Sequence, residues 1–138
     1  MGKIVATSGY FNPLHIGHVR LIQAARRLGD RLVVIVNNDA QVKLKGSVPF
    51  MDEAERVEIV RAIAGVDEVV LSIDKDKTVR ETLKLVRPDI FAKGGDSVIQ
   101  LVPESHTCRD MGTKIRYGVG GEKVQSSSSL IKKTWNRT

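Results

Sequence analysis

The segment KIVATSGYFNPLHIGHVRLIQAARRLGDRLVVIV, residues 3–36, holds a complete strand–helix–strand pattern. Lys3 to Ser8 is short, apolar and partly β-branched and runs into Gly9, which reads as a buried strand ending in a tight turn. From about Ile16 to Leu28, Val19, Ile22, Ala25 and Leu28 fall on one helical face and Arg20, Gln23 and Arg27 on another, with Gly29 as the stop. Leu32 to Val36 is a continuous aliphatic run, as expected of a parallel strand covered on both sides. Two parallel strands joined by a helix predict a right-handed βαβ unit.

The alternation continues beyond it. Asp52 with Glu55 has the spacing of an N-cap and its third helical residue, and Val57, Val60, Ile63 and Ala64 give a buried stripe ending at Gly65. Glu68 to Ile73 reads as a strand. Thr78 and Glu81 have capping-box spacing ahead of a helix carrying Val79, Leu83 and Val86 and stopped by Pro88. Asp89 to Ala92 and Thr113 to Tyr117 read as further strands, with helical pieces about Pro103 between them, and Ser126 to Ser129 opens a terminal helix through Leu130, Ile131 and Trp135. This order predicts an α/β fold, one domain over residues 1–138, with a parallel sheet of about five strands and helices on both faces. Ligands of such sheets bind beyond the carboxyl ends of the strands.

Composition narrows the classes. The 138 residues are 41% hydrophobic and 28% charged, average for a globular domain, which excludes a disordered or fibrous chain. The longest aliphatic run is far shorter than the roughly twenty residues of a membrane span. The N-terminus goes straight into a strand without a signal-peptide core, and Cys108 is the one cysteine, so a reducing, cytoplasmic setting is expected. The net charge of +6 suits an anionic partner. Aromatic residues are only 4%, which leaves few platforms for stacking bases and disfavours nucleic acid.

The loop after the first strand places His15 and His18 three residues apart at a helix start, where both imidazoles face one side near backbone N–H groups of partial positive charge. Two such donors at a helix N-terminus make an anion site, with Gly9 for the turn and Gly17 leaving room between the rings. A metal pair is the rival reading, but no further ligands stand at suitable spacing, so no protein metal site is expected.

GYFNPLHIGH resembles the HxGH signature of the nucleotidyltransferase, or cytidylyltransferase-like, superfamily, whose members move a nucleotidyl group from a nucleoside triphosphate to a phosphorylated acceptor. VNNDAQVKLKG at 36–46, Glu55-Arg56, VDEVV at 66–70, PDIFAKGGD at 88–96 and SSSSLIKK near the end follow in family order, so that nearly the whole chain is covered. The pattern is most similar to the adenylyltransferase domain of ADP-heptose synthases, then to glycerol-3-phosphate cytidylyltransferases, both Rossmann-like. The resemblance implies catalytic roles for His15, His18 and Lys45. It implies nucleotide contacts for Gly9, Tyr10, Phe11, Asn12, Gly17, Lys93, Gly94, Gly95, Asp96, Ser126, Ser127 and Ser128, and acceptor contacts for Lys43, Arg56 and Asp39. It further implies Mg²⁺ accompanying the triphosphate, ATP or CTP as donor and a phosphorylated small molecule as acceptor, and it allows a homodimer. The cytidylyltransferases carry an arginine shortly before the serine run, where Gly121, Glu122 and Lys123 stand here, which turns the reading toward AMP transfer.

The competing readings are a CTP-dependent enzyme acting on glycerol 3-phosphate or a similar phospho-alcohol, a pyridine-nucleotide adenylyltransferase suggested by Phe11-Asn12-Pro13, and a non-catalytic nucleotide or nucleic-acid binder. The basic surplus is expected to gather at the site through Lys43, Lys45, Arg56, Lys93 and Lys123.

Overall fold

A computed structural model describes residues 2–95 and 102–121. The elements run β1 (Ile4–Gly9), α1 (Ile16–Arg26), β2 (Arg31–Val36), α2 (Asp39–Leu44), α3 (Glu53–Arg61), β3 (Glu68–Leu71), α4 (Arg80–Val86), β4 (Ile90–Gly94), α5 (Ser105–Met111) and β5 (Lys114–Val119). The five strands form one parallel sheet in the order β3-β2-β1-β4-β5. The chain builds outward from β1 to β3, then returns to the other side of β1 for β4 and β5. The reversal lies between β1 and β4, and this is where an open sheet leaves a crevice at its carboxyl edge.

The period-two alternation of the strands divides the core in two. Val5, Val34, Ile90 and Ala92 pack with Ile22 and Ala25 of α1 and Val60 of α3, while Ala6, Ile35 and Phe91 pack with Val79, Leu83 of α4 and Cys108 of α5. Leu32 to Val36 is buried throughout, as a central strand sandwiched between helices requires. Each such aliphatic side chain removed from water stabilises the fold by about 1.5–3 kcal/mol. No helix among the described residues is long and apolar enough to cross a membrane.

Four local details differ from the sequence reading. Asp39–Leu44 is a short helix to which the sequence reading assigns no element, capped by Asn38, whose side chain accepts from Gln41 N while Gln41 Oε1 accepts from Asn38 N. The Thr78–Glu81 capping box does not form: Asp74 accepts from the Glu81 and Thr82 N–H groups at 2.7 and 3.0 Å, and Thr78 turns to Asp76 instead. Gly9 is not needed for a left-handed turn, since the positive φ falls on Phe11, at 51°. A Cβ on Gly9 would stand 2.8 Å from the Phe11 ring, so packing demands the glycine. The last strand continues to Val119, past Tyr117. The serine-capped terminal helix falls outside the described residues.

Candidate active site

The loop from Tyr10 to His15 joins the carboxyl end of β1 to the first turn of α1, which places both histidines at the sheet's carboxyl edge. His15 is the N-cap of α1. Its Nδ1 accepts from Gly17 N at 3.1 Å, and His18 Nδ1 accepts from His15 N, also at 3.1 Å. Each imidazole therefore spends its Nδ1 lone pair on the backbone, so in the neutral ring the proton sits on Nε2. The rings stack with centroids 3.9 Å apart, and the Phe11 ring meets His18 edge-on at 4.9 Å. The result is a pair of stacked imidazoles that cap the N-terminus of α1, the end of a helix that favours negative charge.

Phe11, Asn12 and Arg56 do not present side chains to the crevice. Phe11 lies in the core. Asn12 donates to Val48 O at 2.9 Å and accepts from Phe50 N at 2.8 Å, pinning the loop before α3. Arg56 has no exposed side-chain surface. Its guanidinium donates to Met51 O, Tyr10 O and Asn37 O, and pairs with Asp39 at 2.6 Å. This corrects the reading of Arg56 and its partner Asp39 as acceptor contacts: four N–H groups are committed to tying the ends of β1 and β2 to α2 and α3. An arginine is suited to that task because its fork reaches several acceptors at once.

Lys45 closes α2 and carries its ammonium 4.3 Å above the Tyr10 ring, bringing the second-strand segment over the first. Lys43 is exposed on α2. Lys93 and Gly94 end β4 next to β1, with Lys93 Nζ 5.4 Å from the Phe91 ring, and Gly95 follows at φ 56°, a backbone that favours glycine. Gly17 lies in the first turn of α1. His15, His18, Lys43, Lys45 and Lys93 thus share the carboxyl edge, whereas Arg56 lends its charge to the interior. Asp96, Lys123 and Ser126 to Ser128 fall outside the described residues.

Electrostatics set Tyr10 apart. Burial, and then the charges of Glu104 and Asp76, push its hydroxyl above its ordinary acidity range, so it stays protonated. The hydroxyl lies 3.4 Å from Lys77 O. Gln41, wholly buried, was not singled out by sequence reasoning. Its amide reaches Asp76 O and Thr78 O at 2.7 and 2.8 Å, anchoring α2 to the loop after β3. The signal was present, since Asn38 and Gln41 have capping-box spacing. Among the described residues no three His, Cys, Asp or Glu side chains come together as a metal site.

Sheet order and the all-parallel strands define an α/β domain of Rossmann-like type, with the paired imidazoles at the carboxyl edge of its switch point. The chain belongs to the cytidylyltransferase-like family, whose model matches residues 6–133. It is 41% identical over 132 residues to the bifunctional protein HldE of Koribacter versatilis, covering 94% of this chain and 24% of that protein. The chain thus spans about a quarter of the curated relatives it matches. A lipopolysaccharide core biosynthesis protein from Thermoplasma volcanium superposes with a TM-score of 0.75 at 26% identity, covering 89% of this chain and 100% of that one. Thermotoga maritima TmcAL bound with alpha-thio ATP superposes at 0.71 over 96% of this chain and 50% of its own, and at 14% identity it shares the fold.

Proposed function

We propose that this domain transfers a nucleoside monophosphate, AMP by preference, from a nucleoside triphosphate to a phosphorylated small molecule of the sugar-phosphate kind, releasing pyrophosphate. The observation that carries the reading is the His15–His18 pair at the switch point, with both Nδ1 atoms held by backbone N–H groups, which puts the proton of each neutral ring on Nε2. The likeness to HldE supports a sugar phosphate as acceptor.

The chemistry asks little covalent work of the protein, because the acceptor phosphate is already a nucleophile. One of its oxygens forms a bond to the α-phosphorus as the bond to the β-phosphate's bridging oxygen breaks, and the electron pair leaves with pyrophosphate. His15 and His18 stabilise the charge that grows on the triphosphate, and Lys45 neutralises a phosphate group. Arg56 touches no reacting atom in this account; it fixes the Tyr10 and Asn37 carbonyls so that the edge is preorganised. Mg²⁺ supplies charge neutralisation on the triphosphate, held chiefly by phosphate oxygens and water. Ser126, Ser127 and Ser128, Lys93 to Gly95 and Asp96 remain assigned to the nucleotide, and Lys43 to the acceptor phosphate.

Pyrophosphate release measured with ATP, CTP, GTP and UTP, each against heptose 1-phosphate, glycerol 3-phosphate, phosphoethanolamine and nicotinate mononucleotide, tests the reading. ATP with a sugar phosphate is expected to give the largest signal. A larger signal from CTP with glycerol 3-phosphate would move the assignment to cytidylyl transfer.

A further inference from the structure

We propose that Tyr10 is a positioning residue: its ring face seats the Lys45 ammonium over the carboxyl end of β1, so that the lysine meets the triphosphate already in place. This rests on the phosphate contact proposed for Lys45 above and adds the residue that sets it.

Lys45 closes α2, the helix that follows β2, and it is exposed, with its charge at the end of a flexible stem. The histidine loop leaves from β1 instead. Tyr10 is the first residue past that strand, and Lys45 Nζ stands 4.3 Å from the centroid of its ring, within the distance at which a π face attracts a cation. The ring thereby draws the charge from the connection after β2 to the strand that carries the histidines.

Ring and helix are fixed to the same support. Tyr10 O accepts from Arg56 Nη1 at 2.8 Å, and the same nitrogen reaches Asn37 O just ahead of α2. At the far end of the ring the hydroxyl lies 3.4 Å from Lys77 O. Gln41, one helical turn before Lys45 and accepting its N–H at 3.1 Å, donates to Asp76 O and Thr78 O on either side of Lys77. Loop 76–78 therefore holds both the ring and the helix that brings the lysine. Burial, and then the charges of Glu104 and Asp76, keep the hydroxyl protonated, so Lys45 faces a neutral ring. A π face orients an ammonium and leaves it charged toward phosphate, whereas an anion in that place would neutralise it.

The test is a double-mutant cycle of Tyr10→Leu and Lys45→Met, read as calorimetric binding of a non-hydrolysable ATP analogue and as kcat and KM in pyrophosphate release with ATP, Mg²⁺ and heptose 1-phosphate. Tyr10→Leu is expected to weaken analogue binding about 3- to 10-fold when Lys45 is present and less than about 2-fold in Lys45→Met, where there is no cation to seat. Tyr10→Phe keeps the ring and should recover most of the loss. An equal factor in both backgrounds makes Tyr10 structural packing and overturns the proposal, as does no loss at all or a Tyr10→Phe that loses as much as Tyr10→Leu. Unchanged affinity in Lys45→Met overturns it too, by removing the phosphate contact beneath it. A wild type that binds the analogue yet releases no pyrophosphate ends the transfer reading, while the binding cycle still decides the seat; a wild type that binds no triphosphate ends both. Should Tyr10→Leu not fold, Tyr10→Phe made with phenylalanines of increasing ring fluorination keeps the shape and weakens the π face in steps. Affinity should then fall in steps when Lys45 is present and stay level in Lys45→Met, and a level response with Lys45 present contradicts the seat.

Discussion

His18 Nδ1 accepts the backbone N–H of His15, and His15 Nδ1 accepts that of Gly17, so the two histidines proposed to stabilise the triphosphate also cap the helix they stand on. Capping and catalysis can be separated by substitution. Asparagine is a good N-cap residue, whereas alanine at an N-cap costs about 0.5–2 kcal/mol. His15→Asn should therefore melt close to the wild type, and His15→Ala lower, while both lose about 10² to 10³ in kcat with the Nε2 donor. Thermal unfolding alongside steady-state kinetics makes the comparison. A His15→Asn enzyme of normal kcat would remove His15 from the reaction.

Arg56 and Asp39 provide the second test. The arginine is fully buried with four N–H groups engaged, so Arg56→Met leaves the Tyr10, Asn37 and Met51 carbonyls without their donor. A loss of about 3–5 kcal/mol in urea unfolding is expected, as for breaking a buried ion pair. Arg56→Lys should recover only part of it, since one ammonium cannot span the same set of acceptors. A change under about 0.5 kcal/mol, the range of ordinary surface substitutions, would contradict the positioning role.

Acid should weaken the loop after β3. Hydrogen bonds from the Thr78 hydroxyl, then from Arg80, hold the Asp76 carboxyl down at about 2. A depressed value means that the stabilisation is present above the unfolded value near 4 and is lost as pH falls from there through about 2. Because the Asp76–Arg80 pair is about half exposed, the effect is small and screened by salt. Wild type and Asp76→Asn should differ slightly near neutral pH in low salt and converge at about pH 2; a gap that persists there would locate the effect elsewhere.

Cys108 offers a readout of global opening. Burial, the largest influence, and the Glu104 charge raise its thiol to about 11, so almost none is thiolate at pH 8. Labelling with a disulfide reagent should be slow in the native state and should track unfolding in denaturant. Rapid labelling without denaturant would mean that the α4–α5 face opens locally.

Much of this was legible because local rules and tertiary structure agree. The aliphatic run Leu32–Val36 could only be a covered central strand, and Ile22 and Ala25 face the core as their helical spacing requires. The site was legible through His15 and His18, whose spacing at a helix start already implies paired donors. The sequence is silent where long-range partners take over from local ones. Asp74 lies outside the Thr78–Glu81 box yet caps α4, and nothing about Arg56 on an amphipathic helix announces that three carbonyls from separate loops converge on it. Gly9 was read as a turn glycine because the Phe11 ring that crowds it comes from beyond the strand. Glu104 stands beside Pro103 with no spacing that marks burial, and it is the packing of α5 against α4 that buries it.

The most direct test of nucleotidyl transfer at the histidine pair is pyrophosphate release by the wild type and His18→Ala with ATP, Mg²⁺ and a sugar phosphate, alongside calorimetric titration of a non-hydrolysable ATP analogue. The wild type should release pyrophosphate, and His18→Ala should lose about 10² to 10³ in kcat while the analogue binds nearly as before, because the lost donor acts mainly on charge that develops during transfer. A His18→Ala protein with near-normal kcat and weakened analogue binding would make the histidines binding groups and contradict the account.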